Sequence, residues 1–168
     1  MSHSGIGIPK ECITVFQDLK LNKKYKFIIY KLSDDFTSVE IEECSEDKDW
    51  ENFRQKLIKA QTKSKNGAIG KGPRFAVYDF NYELLSGEGY RYLNICAIIE
   101  KLPNDNRSKI VFISWSPDDA GVQAKMIYAS SKDGLRRNLD GIACEFQAND
   151  EDDIEYVSVL KNVSKGLA

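Results

Sequence analysis

The stretch KIVFISW at residues 109–115, followed by SPDD at 116–119, decides the fold that the sequence predicts. Its β-branched and aromatic side chains predict a buried strand, because such side chains pack well on a pleated surface. The proline and two carboxylates that follow predict a helix start, since carboxylates can cap free backbone N–H groups. We expect this helix to reach about Leu139, with Gly141 as its left-handed stop. Its predicted inner stripe is Ala124, Ile127, Tyr128, Ser131, Leu135 and Leu139.

Further strands and helices are predicted on both sides of this unit. The strands lie at 25–32, 37–44, 74–82 and 142–148, and the helices at 9–21, 50–58 and about 150–163, where acidic residues 150–155 suit a first turn. Residues 90–99 fit either a strand or a short helix. The order α-β-β-α-β-β-α-β-α predicts an α+β (mixed α/β) single domain over residues 1–168, with helices covering a mixed sheet.

Composition limits the class of protein. The chain has 168 residues, with 24 Lys and Arg, 26 Asp and Glu, and a net charge of −2, which argues against a general nucleic-acid binder. A single histidine, His3, excludes most His-based catalysis and His-rich metal sites. No run approaches 18 apolar residues and the N-terminus lacks a signal-peptide pattern, so we expect neither a membrane span nor secretion.

The four cysteines are widely spaced and form no C-x-x-C pair, so the usual zinc and redox motifs are absent from the sequence. Two disulfides would be possible in a secreted protein. In the absence of a secretion signal we expect four reduced thiols in a cytosolic protein. These residues are Cys12, Cys44, Cys96 and Cys144.

Two motifs could indicate an enzyme, but the residues around them do not complete a catalytic pattern. The glycine-rich residues 67–72 would need Gly in place of Lys65 and Ser or Thr in place of Gly72 to form a phosphate-binding P-loop, so a flexible basic loop is predicted instead. Asp79, Asp118 and Asp119 lack a base, a nucleophile and metal ligands around them, and we expect them to be structural. The sequence therefore predicts neither an enzyme nor a cofactor or metal site.

The predicted helix after residue 119 carries a basic face. Lys125, Lys132 and Arg136 are spaced to lie together away from the inner stripe, and Met126 lies beside them. A solvated basic face is one interpretation. The other is a protein-binding surface, because Met adapts its shape to a partner and charges steer encounter with an acidic surface.

Three runs resemble the actin-depolymerising factor (ADF)/cofilin family: KIVFISWSPD at 109–118, AKMIYASSKD at 124–133 and LRRNLDG at 135–141. Shorter matches follow the expected order, with SGI at 4–6, FQDLKL at 16–21, YDF at 78–80, VL at 159–160 and VSKG at 163–166. The resemblance implies one ADF-homology domain, in which a central mixed sheet of five or more strands has helices on both faces. Residues of about 61–72 and 90–106 look like insertions, and we expect 90–99 to pack as an added strand or helix at the sheet edge.

The resemblance also implies a function. Members of this family are not enzymes and use no cofactor; they bind actin monomers and filaments, prefer ADP-actin, and promote filament severing and depolymerisation. It implies a monomeric protein of the cytoplasm and actin cytoskeleton that can also be nuclear, with phosphoinositide lipids as further ligands of its basic surface and no nucleic-acid partner. The implied monomer-binding residues are Ser4, Gly5, Ile6, Lys125, Met126, Ile127, Ser131, Lys132, Arg136 and Arg137, and the implied filament-binding residues are Arg107, Lys109 and Lys165.

Some positions depart from the family pattern or carry a further implication. Ser4 matches the family's inhibitory phosphorylation site, where a phosphate would place negative charge in an interface that favours cations. Gln123 replaces a basic residue, and Lys161 and Asn162 replace a Glu-Arg type pair, which bears on filament affinity and severing. The alternative function is a phosphoinositide or membrane-surface module that uses the basic residues 56–74, with actin binding weak or lost.

Overall fold

The computed structural model describes residues 5–82 and 107–164, apart from the side chains of residues 81, 82, 107 and 164. The insertion predicted at 90–106, with its added element at 90–99, lies outside the described residues. In chain order the elements are α1 (Lys10–Lys20), β1 (Phe27–Leu32), β2 (Val39–Ser45), α2 (Trp50–Ile58), β3 (Gln61–Lys63), β4 (Ile69–Lys71), β5 (Arg74–Tyr82), β6 (Arg107–Trp115), α3 (Val122–Asn138), β7 (Cys144–Ala148) and α4 (Tyr156–Ser164).

The described residues form a five-stranded mixed sheet in the order β2-β1-β5-β6-β7. Strand β6, which contains the run KIVFISW, pairs antiparallel with β5 from Arg74 opposite Trp115 to Tyr82 opposite Arg107. It pairs in parallel with β7, and α3 makes the crossover that a parallel pair requires. The expected α+β fold with a mixed sheet of five or more strands is confirmed.

Both faces of β6 are buried, which explains its nearly continuous apolar sequence. Val111, Ile113 and Trp115 belong to a core that α2 and α4 cover, whereas Ile110 and Phe112 belong to a second core that α1 and α3 cover. Successive strand residues point to opposite faces, so a single strand supplies both cores. The sheet therefore has helices on both faces, as the family resemblance implies.

Helix α3 begins later than the sequence predicts. Its N-cap is Gly121, and no side chain caps the helix, so the expectation that Asp118 and Asp119 cap it is wrong. The proline turn intervenes, because the amide of Ala120 donates to the carbonyl oxygen of Pro117 and holds the two carboxylates three and two residues before the N-cap. The helix ends near the predicted stop, and Gly141 has a φ of 100° in the left-handed region.

The acidic residues 150–155 do not form the first turn of the last helix, which begins at Tyr156. Asp150 instead accepts hydrogen bonds from the amides of Asp152 and Asp153, and Asp153 accepts one from the amide of Asn149. These carboxylates therefore satisfy the backbone of a tight turn, as Asp side chains commonly do.

The basic stretch predicted as a flexible loop is a β-hairpin in part. β3 and β4 pair antiparallel, with Thr62 opposite Gly70. The turn between them contains Asn66-Gly67, with Gly67 at a φ of 84°. Asn-Gly is the strongest short-range hairpin signal in a sequence, and the prediction of an unstructured loop overlooked it.

Candidate functional site

Helix α3 is fixed on the sheet by a small buried face. Tyr128 and Leu135 are buried in the core shared with α1. The Tyr128 hydroxyl accepts a hydrogen bond from the amide of Leu32 at 2.9 Å, and its ring lies 5.2 Å from that of Phe75. Ile127 is half-buried against the same core, as expected for the inner stripe. The rest of the helix is therefore presented on a rigid support.

Ser131 lies on the buried face of α3. It is 1% exposed, and its hydroxyl donates to the carbonyl oxygen of Ile127 at 2.6 Å. The side chain is therefore buried within the protein, and the expected contact of Ser131 with a partner stays a prediction. The residue supports the helix, because the small polar side chain is satisfied within its own turn.

The outward face of α3 carries two large apolar side chains. Met126 is 67% exposed and Val122, one turn earlier, is 70% exposed. Arg137 is exposed further along the helix. Sequence reasoning found Met126 and Arg137 but missed Val122, although the i, i+4 spacing from Met126 places both on one face. An exposed Met and Val on a fixed helix form an apolar contact surface without a partner within the described part of the chain.

The basic residues lie on the flank of α3 rather than at its outermost face. Lys125 donates to the carbonyl oxygen of Asp118 at 3.0 Å. Glu145 on β7 binds both Lys132, at 3.3 Å from Nζ to Oε1, and Arg136, at 3.1 Å from Nε to Oε2. The expected cationic face is thus partly neutralised from within the molecule.

The N-terminal segment lies beside the β1–β2 turn. The amide of Gly7 donates to the carbonyl oxygen of Thr37 at 2.8 Å. The amide of Val39 donates to the carbonyl oxygen of Gly7 at 2.9 Å. Ile6 is half-buried against the core below α3, and Gly5 is exposed. The segment after Ser4, which itself lies outside the described residues, is therefore attached on the side of the sheet that carries α3.

Of the residues expected at the filament site, Lys109 lies on the other side of the sheet. Lys109 donates to the carbonyl oxygen of Val163 at 3.3 Å and so connects β6 to the end of α4. Arg107 begins β6, and Lys165 lies just beyond the described residues. Because α3 and α4 cover opposite faces, the sheet separates Lys109 from the outward face of α3.

The metal-ligating side chains, the helices, Asp79 and the cysteines within residues 5–82 and 107–164 bear on metal binding, membrane insertion and catalysis. No group of three or more metal-ligating side chains occurs there. Within the same residues no helix is long and apolar enough to cross a membrane. Asp79 is buried in β5 and bound to Lys23 at 3.1 Å. Cys12, Cys44 and Cys144 are free thiols, and Cys96 lies outside these residues.

Known proteins are similar to this chain in sequence and in structure. Residues 5–164 match the family described as Cofilin/tropomyosin-type actin-binding protein. The chain belongs to this cofilin/ADF family. Cofilin of Gibberella zeae is 60% identical over 168 residues, which is 100% of this chain and 99% of that protein. Cofilin of Saccharomyces cerevisiae is 42% identical over 166 residues, which is 99% of this chain and 97% of that one.

Solved structures agree with the family assignment. The crystal structure of Streptomyces griseoflavus cofilin is similar with a TM-score of 0.73 and 35% identity, over 96% of this chain and 98% of that one. Plasmodium berghei actin depolymerization factor 2 has a TM-score of 0.70 at 23% identity, over 98% and 100% of the two chains, which shows the fold alone.

Membership of the cofilin/ADF family confirms the resemblance and the function expected from it, a cofilin-type actin-binding protein. Actin is its partner, and its place is with the actin cytoskeleton. The family is one of actin-binding regulators and is not known for an enzymatic activity. Neither the family description nor the names of the relatives support the phosphoinositide alternative.

Proposed function

We propose that this protein binds an actin monomer through the outward face of α3 and the N-terminal segment, and that it severs and depolymerises filaments. The observation that carries the proposal is the exposure of Val122 and Met126 on a helix fixed to the sheet. Large apolar side chains gain free energy when a partner removes them from water, and Met adapts to the partner's shape. Of the implied contacts, Lys125 and Met126 are adjacent to each other on α3, Lys132, Arg136 and Arg137 follow along the helix, and Gly5, Ile6 and Ile127 are proposed as further contacts.

Filament binding is proposed for Arg107, Lys109 and Lys165. Its support is that Lys109 lies at the end of α4, on the side of the sheet opposite α3. Two surfaces on opposite sides of one domain suit a protein that contacts two neighbouring subunits of a filament. Such bridging would alter the packing of the subunits, and severing follows from that change.

Finer features of the proposal rest on the family resemblance. The proposal includes a preference for ADP-actin and a monomeric state. It also includes a cytoplasmic and nuclear location, and inhibition by phosphorylation of Ser4. Three residues depart from the family pattern. Gln123 and Lys161 are exposed and therefore change the polar groups that the surface presents, whereas Asn162 is half-buried. Phosphoinositides remain proposed as ligands that compete with actin for the basic flank of α3.

The test combines Lys125→Ala with Met126→Ala in one variant. We expect loss of detectable binding to ADP-actin monomers in a fluorescence titration, with the thermal midpoint nearly unchanged because Met126 is exposed and Lys125 is held by a surface hydrogen bond. The matched control is Val157→Ala with Lys161→Ala, an exposed apolar residue and lysine on α4. Wild-type protein that neither binds ADP-actin monomers nor shortens filaments under the microscope would show the proposal to be wrong.

A further inference from the structure

We propose that the hairpin formed by β3 and β4, residues 61–71, is a second contact surface for the actin molecule that α3 binds. The inference rests on the proposed function of α3 and adds to it a separate element. The hairpin falls in the segment at about 61–72 that departs from the family pattern, so the family's own contact residues do not include it. Its anchoring, its exposed tip and its position beside α3 each support the proposal.

The base of the hairpin is anchored in the protein. Arg74 is 3% exposed, and its guanidinium forms two bonds to the Glu42 carboxylate, at 2.7 and 3.1 Å. The same guanidinium donates to the Thr62 hydroxyl at 2.9 Å and to the carbonyl oxygen of Gln61 at 2.6 Å. A bidentate arginine pair fixes geometry as well as adding energy. The hairpin is therefore held in a defined position, which lowers the entropy lost when a partner binds it.

The tip of the hairpin is exposed, and its apolar side chain, Ile69, is not buried by the described part of the chain. All residues from 63 to 71 are exposed, and Ile69 is 67% exposed. Lys63 and Lys65 accompany it, and residues 55–74 contain six basic residues and no acidic one. A β-branched apolar side chain surrounded by cations on a short ribbon suits contact with an acidic protein surface that has an apolar patch.

The hairpin lies at the end of α3 that carries Val122. Lys71 of β4 binds the Asp119 carboxylate at 3.1 Å, and Asp119 precedes Val122 by three residues. Lys71 also approaches Glu151 at 3.9 Å. From the lengths of the intervening chain and side chains, Ile69 lies no farther than about 30 Å from Val122. A standard interface of about 800 Å² per partner is roughly that wide, so one partner can cover both.

The charges around the hairpin favour a protein partner over a membrane. Asp119 and Glu151 lie against its base. An anionic lipid surface would extend over these carboxylates and be repelled by them, whereas a folded partner can place its acidic groups at the tip alone. We therefore assign the hairpin to actin, and binding to lipid becomes an outcome of the test.

The test is Ile69→Ser in the full chain, measured by titration of labelled ADP-actin monomers. Loss of one well-covered isoleucine predicts a dissociation constant about tenfold higher than that of the wild type. The matched control is Leu21→Ser, which removes a side chain of 70% exposure at the end of α1 and should stay within about twofold of the wild type. Thermal midpoints of both variants should equal that of the wild type, because both side chains are exposed in the folded protein.

Three outcomes would overturn the inference, and they differ in what they say of the proposed function. If the wild type binds actin, the Lys125 and Met126 variant does not, and Ile69→Ser binds normally, the hairpin assignment alone is wrong. If Ile69→Ser keeps its actin affinity but loses binding to phosphatidylcholine vesicles carrying a phosphorylated phosphatidylinositol, the hairpin binds lipid. If the wild type does not bind actin, both the hairpin contact and the proposed function are wrong.

Discussion

Substitution of Glu145 by Gln should tighten binding to actin. Glu145 is the carboxylate on β7 that holds Lys132 at 3.3 Å and Arg136 at 3.1 Å. Both cations are proposed contacts with an acidic partner, and in the free protein they already have an anion beside them. Binding to a partner must therefore weaken or rearrange two internal ion pairs. The amide of glutamine keeps the shape of the side chain and removes its charge.

The magnitude follows from the exposure of these pairs. All three side chains are about one third exposed, so each ion pair is screened by solvent and contributes about 0.2–1 kcal/mol. Breaking both pairs would reduce the free energy of binding to a partner by about 0.4–2 kcal/mol. Because Glu145→Gln lacks these pairs, its dissociation constant should be about 2- to 30-fold lower. The same loss should lower the free energy of unfolding by a similar amount, and the thermal midpoint by about 1–8 °C.

The assay is a titration of labelled ADP-actin monomers at low and at physiological salt, since screening should reduce the difference at the higher salt. The matched control is Glu43→Gln on β2, at the other edge of the sheet, which makes the same change in net charge and breaks the 2.8 Å pair between Glu43 and Lys56 of α2. If Glu145→Gln binds actin no more tightly than Glu43→Gln, Lys132 and Arg136 do not meet an acidic surface and the reasoning is refuted.

Two further predictions concern stability. A Cβ on Gly72 would overlap the Thr62 hydroxyl and lie 2.7 Å from the Thr62 backbone nitrogen, so Gly72→Ala should destabilise the protein by about 1–3 kcal/mol in denaturant unfolding. Gly70→Ala, with no atom within 4 Å, is its control, and equal midpoints for the two would contradict the close approach. Burial raises the pKa of the Cys12 thiol from 9.0 to about 11 and also raises the pKa of the Tyr30 phenol, so both are neutral in the folded state. Since the unfolded chain ionises first, stability should fall as the pH rises from about 9 to 11, by up to about 3 kcal/mol for Cys12, and Cys12→Ser should flatten this fall.

The fold was largely predictable because its signals are local. The period of two in the strands and of 3.6 in the helices depends on near neighbours in sequence, and it located all five strands of the main sheet within the described residues. Errors occurred where a backbone hydrogen bond competed with a side chain. Asp119 would suit an N-cap, but the turn at Pro117 keeps it away from the first turn of α3.

The sequence by itself determined the strand and helix pattern and the family, and it predicted two stretches that depart from the family pattern. It could not determine which charges are available to a partner. Glu145 meets Lys132 and Arg136 only because the parallel pairing of β6 with β7 places β7 beside α3. The tertiary structure likewise brings Lys71 to Asp119, across 48 residues of chain, and buries Arg74 against Glu42. Coulomb interactions depend on distance in space, which is fixed only when the whole sheet and its helices have packed.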